Sequence, residues 1–422
     1  MKPSNRFFGI FLGLLGFFLS PNLAQAQENS SCLLDLKALY AHLQETPSYK
    51  DQVKGDFKTE YEKAYQTLQE NALNAQNDSQ CFLAISGLVT PLRDNHLYLS
   101  QVPKTPISSE NLKDSAFVQA YRQKDEFLNF SNVTTNMDSL ETALSKLSKE
   151  DPEGIYWYGD YLKVGLFQTI PSQFIAVVFE SKLGTWAPGQ IAFLARKLPD
   201  GNLNIWNYNI VQKNLGLYRG EQLVNGTFAR INYSKTPGEP DFSQIPTEEE
   251  KFQFKHLTPK TDYLRLGTFA TSNDQLEISQ QFHEQIKDSL LSENLIVDLR
   301  NNGGGGFKAS RIFYQLLREY AEKGNIWVLL NQRTASNAEQ FTIELLKRDH
   351  VTSAGIRTAG ILTYGNNYGK TETLPSGKFQ LYITDMKDSG NYLPYESVGI
   401  SPQVSLAFDR DWIQQVLEQI EK

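Results

Sequence analysis

Two short segments hold residue types whose spacing suits nucleophilic chemistry. Residues 294–306 read Asn-Leu-Ile-Val-Asp-Leu-Arg-Asn-Asn-Gly-Gly-Gly-Gly, and residues 331–341 read Asn-Gln-Arg-Thr-Ala-Ser-Asn-Ala-Glu-Gln-Phe. The first pattern is an apolar strand entering a glycine turn. In the second, a strand over Asn325 to Asn331 delivers Ser336 to the start of a helix. Acyl transfer needs a hydroxyl held at a tight strand-to-helix corner and backbone N–H groups that face a developing oxyanion. Glycines allow the close backbone approach and positive φ angles that such a hole requires. Each segment also has a plainer reading, the glycines as a simple turn and the serine as a helix N-cap.

Taken together in this order, the segments resemble the tail-specific (C-terminal-processing) serine peptidase superfamily. Its strand motif, Asp-Leu-Arg-x-Asn-x-Gly-Gly, appears here as Asp298-Leu299-Arg300-Asn301-Asn302-Gly303-Gly304, and its nucleophile motif matches Thr334-Ala335-Ser336-Asn337-Ala338-Glu339. The resemblance covers roughly residues 260–405 and two shorter stretches upstream. It implies Ser336 as nucleophile, with an oxyanion hole from the N–H groups of Gly304 or Gly303 and of Asn337. It also implies an α/β fold with a crotonase/ClpP-like ββα catalytic domain.

A serine hydroxyl needs a proton acceptor. Processing peptidases of this kind place a lysine after the serine, but the matching stretch, Gly355 to Ile361, has isoleucine there. An aliphatic group accepts no proton, which leaves Lys370, nine residues further on, as the one lysine substitute. A second branch, similar to the tricorn core and the interphotoreceptor retinoid-binding modules, takes a histidine from a Leu-x-Asp-x-His motif. Here that is Leu92-Arg93-Asp94-Asn95-His96. Imidazole suits the task because its ordinary pKa lies near neutrality. His42, His283, His350 and His256 fall in helices, at a helix end or in a polar connector, where surface or capping roles explain them. The family's third group lies in Glu-x-x-Gly-[Val/Ile]-x-Pro, matched by Glu396 to Pro402, so Glu396 is the expected carboxylate. A serine beside the histidine links the two in the tricorn-like arrangement; Asn95 stands in its place. The expected site is thus Ser336, His96 and Glu396, with no metal or organic cofactor required.

The elements that must position these groups divide into three regions. Residues 27–150 read mainly as helix: Cys32 to Glu45, Phe57 to Leu73, Ser79 to Val89 and Asp138 to Leu147 carry apolar residues at helical spacing. Residues 151–257 hold alternating aromatic and β-branched runs between turn signals, which predicts a small antiparallel barrel or sandwich. Its tryptophans, Trp157, Trp186 and Trp206, offer either a core or an apolar groove. Residues 258–422 alternate strands and helices, the signature of an α/β layer. No internal repeat or PDZ-like segment stands out.

Residues 1–26 read as a secretory signal peptide: Lys2 and Arg6, an apolar run from Phe7 to Phe18, and Ala24-Gln25-Ala26 for cleavage. This predicts an exported chain, periplasmic or extracellular, with no membrane span once processed. The two cysteines, Cys32 and Cys81, are expected to pair there. The net charge of −7 argues against nucleic acid, which favours basic surfaces. Peptide or protein is the expected partner. A non-catalytic peptide- or apolar-ligand-binding protein on the same scaffold is the alternative, and a crotonase-like acyl-CoA enzyme is disfavoured by export.

Overall fold

In the computed structural model, residues 23–367 and 369–421 are described. The expected signal peptide lies outside them except for its last four residues, which open the first helix. Among the described residues no helix is long and apolar enough to cross a membrane.

Helices Leu23–Glu45, Pro47–Gln52, Gly55–Leu73 and Asp78–Ser86 build the N-terminal region. Thr46 ends the first and begins the second: its Oγ1 accepts the Tyr49 N–H, and Pro47 follows where a missing N–H costs nothing. A disulfide joins Cys32 to Cys81 across this bundle, 49 residues apart in sequence. Closing a loop of that length restricts the unfolded chain, so the Cys32→Ala/Cys81→Ala double variant is expected to lose roughly 3–4 kcal/mol, read from its urea midpoint.

The β-rich region forms one antiparallel sheet of twelve strands rather than a small barrel or sandwich. Strand Leu203–Tyr208 is buried on both faces because the helical region covers one of them. Trp206 Nε1 donates to Ser86 Oγ at 2.9 Å, and Tyr208 Oη lies 2.8 Å from Ser79 Oγ. Trp186 and Trp206 are therefore core residues and line no groove. The sheet also crosses the expected region limits. It recruits Tyr98–Gln101 from upstream, paired on one side with Leu215–Glu221 and on the other with Phe379–Tyr382 from far downstream. Tyr98 stands opposite Tyr382 in that register. Strand-like alternation at Phe379 is visible in sequence, but its pairing partner is not, and it joins this sheet instead of the α/β layer.

The second sheet has six strands in the order Phe252–Thr258, Thr261–Leu266, Asn294–Asp298, Asn325–Leu330, Val351–Gly355, Val404–Ser405. The first pair is antiparallel and the rest are parallel. Side chains alternate between two buried layers, as a sheet covered on both faces requires. Leu264, Val297 and Val328 meet helices Asn273–Ile286, Phe307–Tyr320 and Asn337–Leu345, whereas Tyr263, Ile296 and Leu329 meet the closing helix Trp412–Ile420. The glycine run and Ser336 both follow the carboxyl ends of adjacent parallel strands, the edge where open α/β sheets place ligands.

Candidate active site

Ser336 occupies the N-cap of helix Asn337–Leu345 with φ 56° and ψ −127°. A non-glycine residue at positive φ carries about 1–3 kcal/mol of strain and persists only where its surroundings fix it. Here the surroundings are a polar weave between the two loops. Thr334 Oγ1 donates to Leu299 O at 2.8 Å, and the Ala335 N–H donates to Asn302 O at 3.0 Å. Asn331 Oδ1 accepts the Asn301 N–H, while its Nδ2 donates to Ser243 O and Asn301 Oδ1.

Glycine 304 is required by contact as well as by its φ of 91°. A methyl on it would sit 2.7 Å from Ser336 Cβ and 2.8 Å from Asn337 N. Its own N–H donates to Asn302 Oδ1 at 2.9 Å, so that donor is committed to the loop. The Asn337 N–H heads the helix, in the first turn where no intrahelical acceptor exists.

Beneath the loop, Asp298 and Arg300 of the strand motif form a buried ion pair at 2.6 Å, joined by the Tyr263 hydroxyl at 2.9 Å. Burial pushes the Asp298 carboxyl up, but Arg300 and Arg265 outweigh it and hold the group below the usual carboxylate range. Arg300 Nη1 continues to Phe242 O at 2.6 Å. These residues set the base of the glycine turn and stand apart from the hydroxyl.

His96 Nε2 lies 3.0 Å from Ser336 Oγ. Burial is the main reason the imidazole sits below its ordinary pKa; Arg230 lowers it further and Asp94 opposes both. Its Nδ1 is buried with no partner among the described residues. The turn before it is held on several sides. Asp94 Oδ1 accepts the Leu97 N–H and Oδ2 accepts the Thr384 hydroxyl at 2.6 Å. Arg93 reaches Leu393 O at 2.7 Å and Glu396 O through Nε at 3.1 Å.

Glu396 does not contact the imidazole. Its Oε1 accepts the Asn95 N–H at 3.0 Å, and its Oε2 accepts the Leu362 and Thr363 N–H groups at 2.9 and 2.8 Å. Buried N–H groups without a ladder demand acceptors, and this carboxylate supplies them. Burial raises its pKa against those three bonds. Nor does the Asn95 amide bridge to it: Asn95 Nδ2 is 3.5 Å from Gly360 O and Ser397 Oγ. Glu396 thus ties the histidine turn to the 362–363 loop.

Glu339, quoted in the nucleophile motif without a role, is the carboxylate nearest the serine backbone. Its Oε2 accepts the Ser336 N–H at 3.1 Å and the Ile361 N–H at 2.9 Å; its Oε1 accepts the Gly360 N–H at 2.8 Å and the Thr358 hydroxyl at 2.5 Å. Complete burial pushes it up to about 7 even with these donors pulling it back. A glutamate three residues after an N-cap serine is a capping-box signal, which could have flagged this role in sequence. The exposed Lys370 ammonium pairs with Glu372. His256 pairs with Asp262 at 2.7 Å and His283 lies beside Glu284, consistent with surface roles.

No family model matches the chain, and no curated protein matches it. Solved structures do align with it. Mature CPAF complexed with lactacystin is 12% identical, with 94% of this chain and 98% of that chain covered and a TM-score of 0.44. The tricorn protease is 12% identical over 93% of this chain and 36% of that one, with a TM-score of 0.39. The photosystem II D1 C-terminal processing protease is 16% identical over 89% and 93%, with a TM-score of 0.32. Several of the neighbouring structures are named as proteases or peptidases, all at TM-scores below 0.5. The chain's own residues carry the case for its chemistry.

Proposed function

We propose that this chain is an exported serine peptidase whose nucleophile is Ser336 and whose general base is His96. The observation that carries this reading is the 3.0 Å approach of His96 Nε2 to Ser336 Oγ at a strained strand-to-helix corner. The serine oxygen attacks a peptide carbonyl while its proton passes to Nε2. Accepting there places the other imidazole proton on Nδ1. The tetrahedral oxyanion is received by the Asn337 N–H, with Gly303 as the second donor, since Gly304 N–H is held by Asn302. The imidazolium then protonates the leaving amine, the C–N bond breaks, and water repeats the sequence to release the acid. Glu396 and Glu339 act as positioning carboxylates for the two reacting segments. The scaffold is read as crotonase-like ββα, and the site as the histidine-base variety with no catalytic lysine. The Cys32–Cys81 disulfide accords with an oxidising, extracytoplasmic location.

Incubation with a fluorophosphonate probe tests this directly. A single adduct on Ser336, located by peptide mass spectrometry, is the expected result; a folded chain that stays unlabelled there would favour binding without hydrolysis. The pH dependence follows from the imidazole. A base whose pKa is lowered stays neutral further into acid, so the acid limb of kcat/KM is expected to lie below the ordinary imidazole range. A limb centred above neutrality in a kcat/KM profile would contradict His96 as the base.

A further inference from the structure

Arg219 belongs to strand Leu215–Glu221 and is almost fully buried, with no carboxylate bonded to its guanidinium among the described residues. Its Nη1 donates to Val89 O at 3.1 Å and Leu92 O at 2.7 Å; its Nη2 donates to Leu97 O at 2.7 Å and to Asp94 O. All four acceptors come from the irregular stretch 89–97, and His96 lies within it. Three of these carbonyls, of Val89, Leu92 and Asp94, also accept turn N–H groups from Leu92, Asp94 and Leu97, and one planar fork on their second lone pairs ties all four together. The same strand also receives the segment that follows. Ser100 pairs with Gly216, and a methyl on Gly216 would lie 2.0 Å from Tyr98 Oη, so glycine leaves the space Tyr98 fills. Arg230 extends the arrangement by donating to Arg219 O at 2.8 Å.

We propose that Arg219 is a positioning residue for His96: its four carbonyl bonds hold residues 89–97 in the conformation that sets Nε2 against Ser336 Oγ. This rests on the reading of Ser336 and His96 as the reacting pair. Arg219 touches neither reacting atom and acts only through the turn. Charged groups facing the guanidinium are Asp94 and Glu396, which favour its cationic form, and Arg230, which opposes it, with the Tyr61 phenol nearby. The imidazole itself faces Asp94 and Arg230. A lysine at position 219 would bring one nitrogen with three protons, too compact to span carbonyls from Val89 to Leu97.

The test compares the full chain with Arg219→Lys and Arg219→Gly, each checked for folding by circular dichroism. A misplacement of about 1 Å of a reacting group can cost on the order of 10²-fold, so kcat of Arg219→Lys is expected to fall by about that factor while KM changes little. Added guanidinium ion should restore part of the activity of Arg219→Gly, which a merely weakened fold would not show. The NMR titration of His96 should move up toward the ordinary imidazole range in Arg219→Lys, because a loosened turn exposes the ring. If the glycine variant does not fold, Arg219→Gln, with two donors and shorter reach, takes its place. A folded Arg219→Lys with kcat within twofold of the parent, or with His96 titrating unchanged, overturns the proposal. Failure of the parent chain to label at Ser336 would instead sink the peptidase reading, and the NMR comparison would still decide whether Arg219 holds the imidazole.

Discussion

Ser336→Ala is expected to reduce hydrolysis of an unfolded protein substrate by roughly 10⁴–10⁶ in kcat while leaving the fold intact. The hydroxyl is the group at the corner that can form an acyl intermediate, and in its absence Glu339 still holds the Ser336 N–H. His96→Ala should lose nearly as much, because an alcohol without an acceptor at 3.0 Å reverts to its weak intrinsic reactivity. Combining the two should cost no more than the worse single variant, as expected of groups that work as one unit. Steady-state kinetics on the three variants decide the matter. Additive losses, or a Ser336→Ala chain retaining a tenth of the parent activity, would separate Ser336 from the chemistry.

Glu339→Ala is expected to lower stability by about 3–5 kcal/mol, since several buried donors lose their acceptor at roughly 1–3 kcal/mol each. Four donors converge on this carboxylate: the N–H groups of Ser336, Gly360 and Ile361, and the Thr358 hydroxyl. Thr358 Oγ1 in turn accepts the Ile400 N–H at 2.7 Å, so the damage spreads to the segment that carries Glu396. Urea unfolding of parent and variant at neutral pH measures the difference; a loss below about 1 kcal/mol would show that the donors find other acceptors. The sign of its pH dependence follows from its raised pKa of about 7. The folded chain binds this proton more tightly than the unfolded one. Its contribution is therefore fully present below the ordinary carboxylate range and is lost as pH rises through about 7. Glu339→Gln, which cannot titrate, should lack that decline between pH about 4.5 and 7.

Much of the local structure was legible in the chain itself. The run Asn294 to Asp298 is apolar and short, so it reads as a covered strand, and the glycines after it read as a turn. Asn337 to Leu345 reads as a helix behind an N-cap serine. His96 was singled out by motif and by the ordinary settings of the other histidines. One expectation failed for a reason that local sequence cannot express. Phe379–Tyr382 pairs with Tyr98–Gln101 in the antiparallel sheet, because alternation fixes which faces a strand presents and says nothing about its neighbour. Glu396, expected as the carboxylate linked to the histidine turn through residue 95, accepts the N–H groups of Asn95, Leu362 and Thr363.

Sequence alone determined the strand-to-helix corner at Ser336, the glycine turn opposite it, and the residue types available as acid, base and oxyanion donor, because these depend on backbone preferences within a few residues. Tertiary structure decided which of those groups meet. The meeting of His96 with Ser336, the four donors on Glu339, and the four carbonyls on Arg219 each join segments far apart in the chain. Such contacts are selected by the burial of whole layers and by the need to satisfy every polar group those layers trap, and neither quantity can be read from a local pattern.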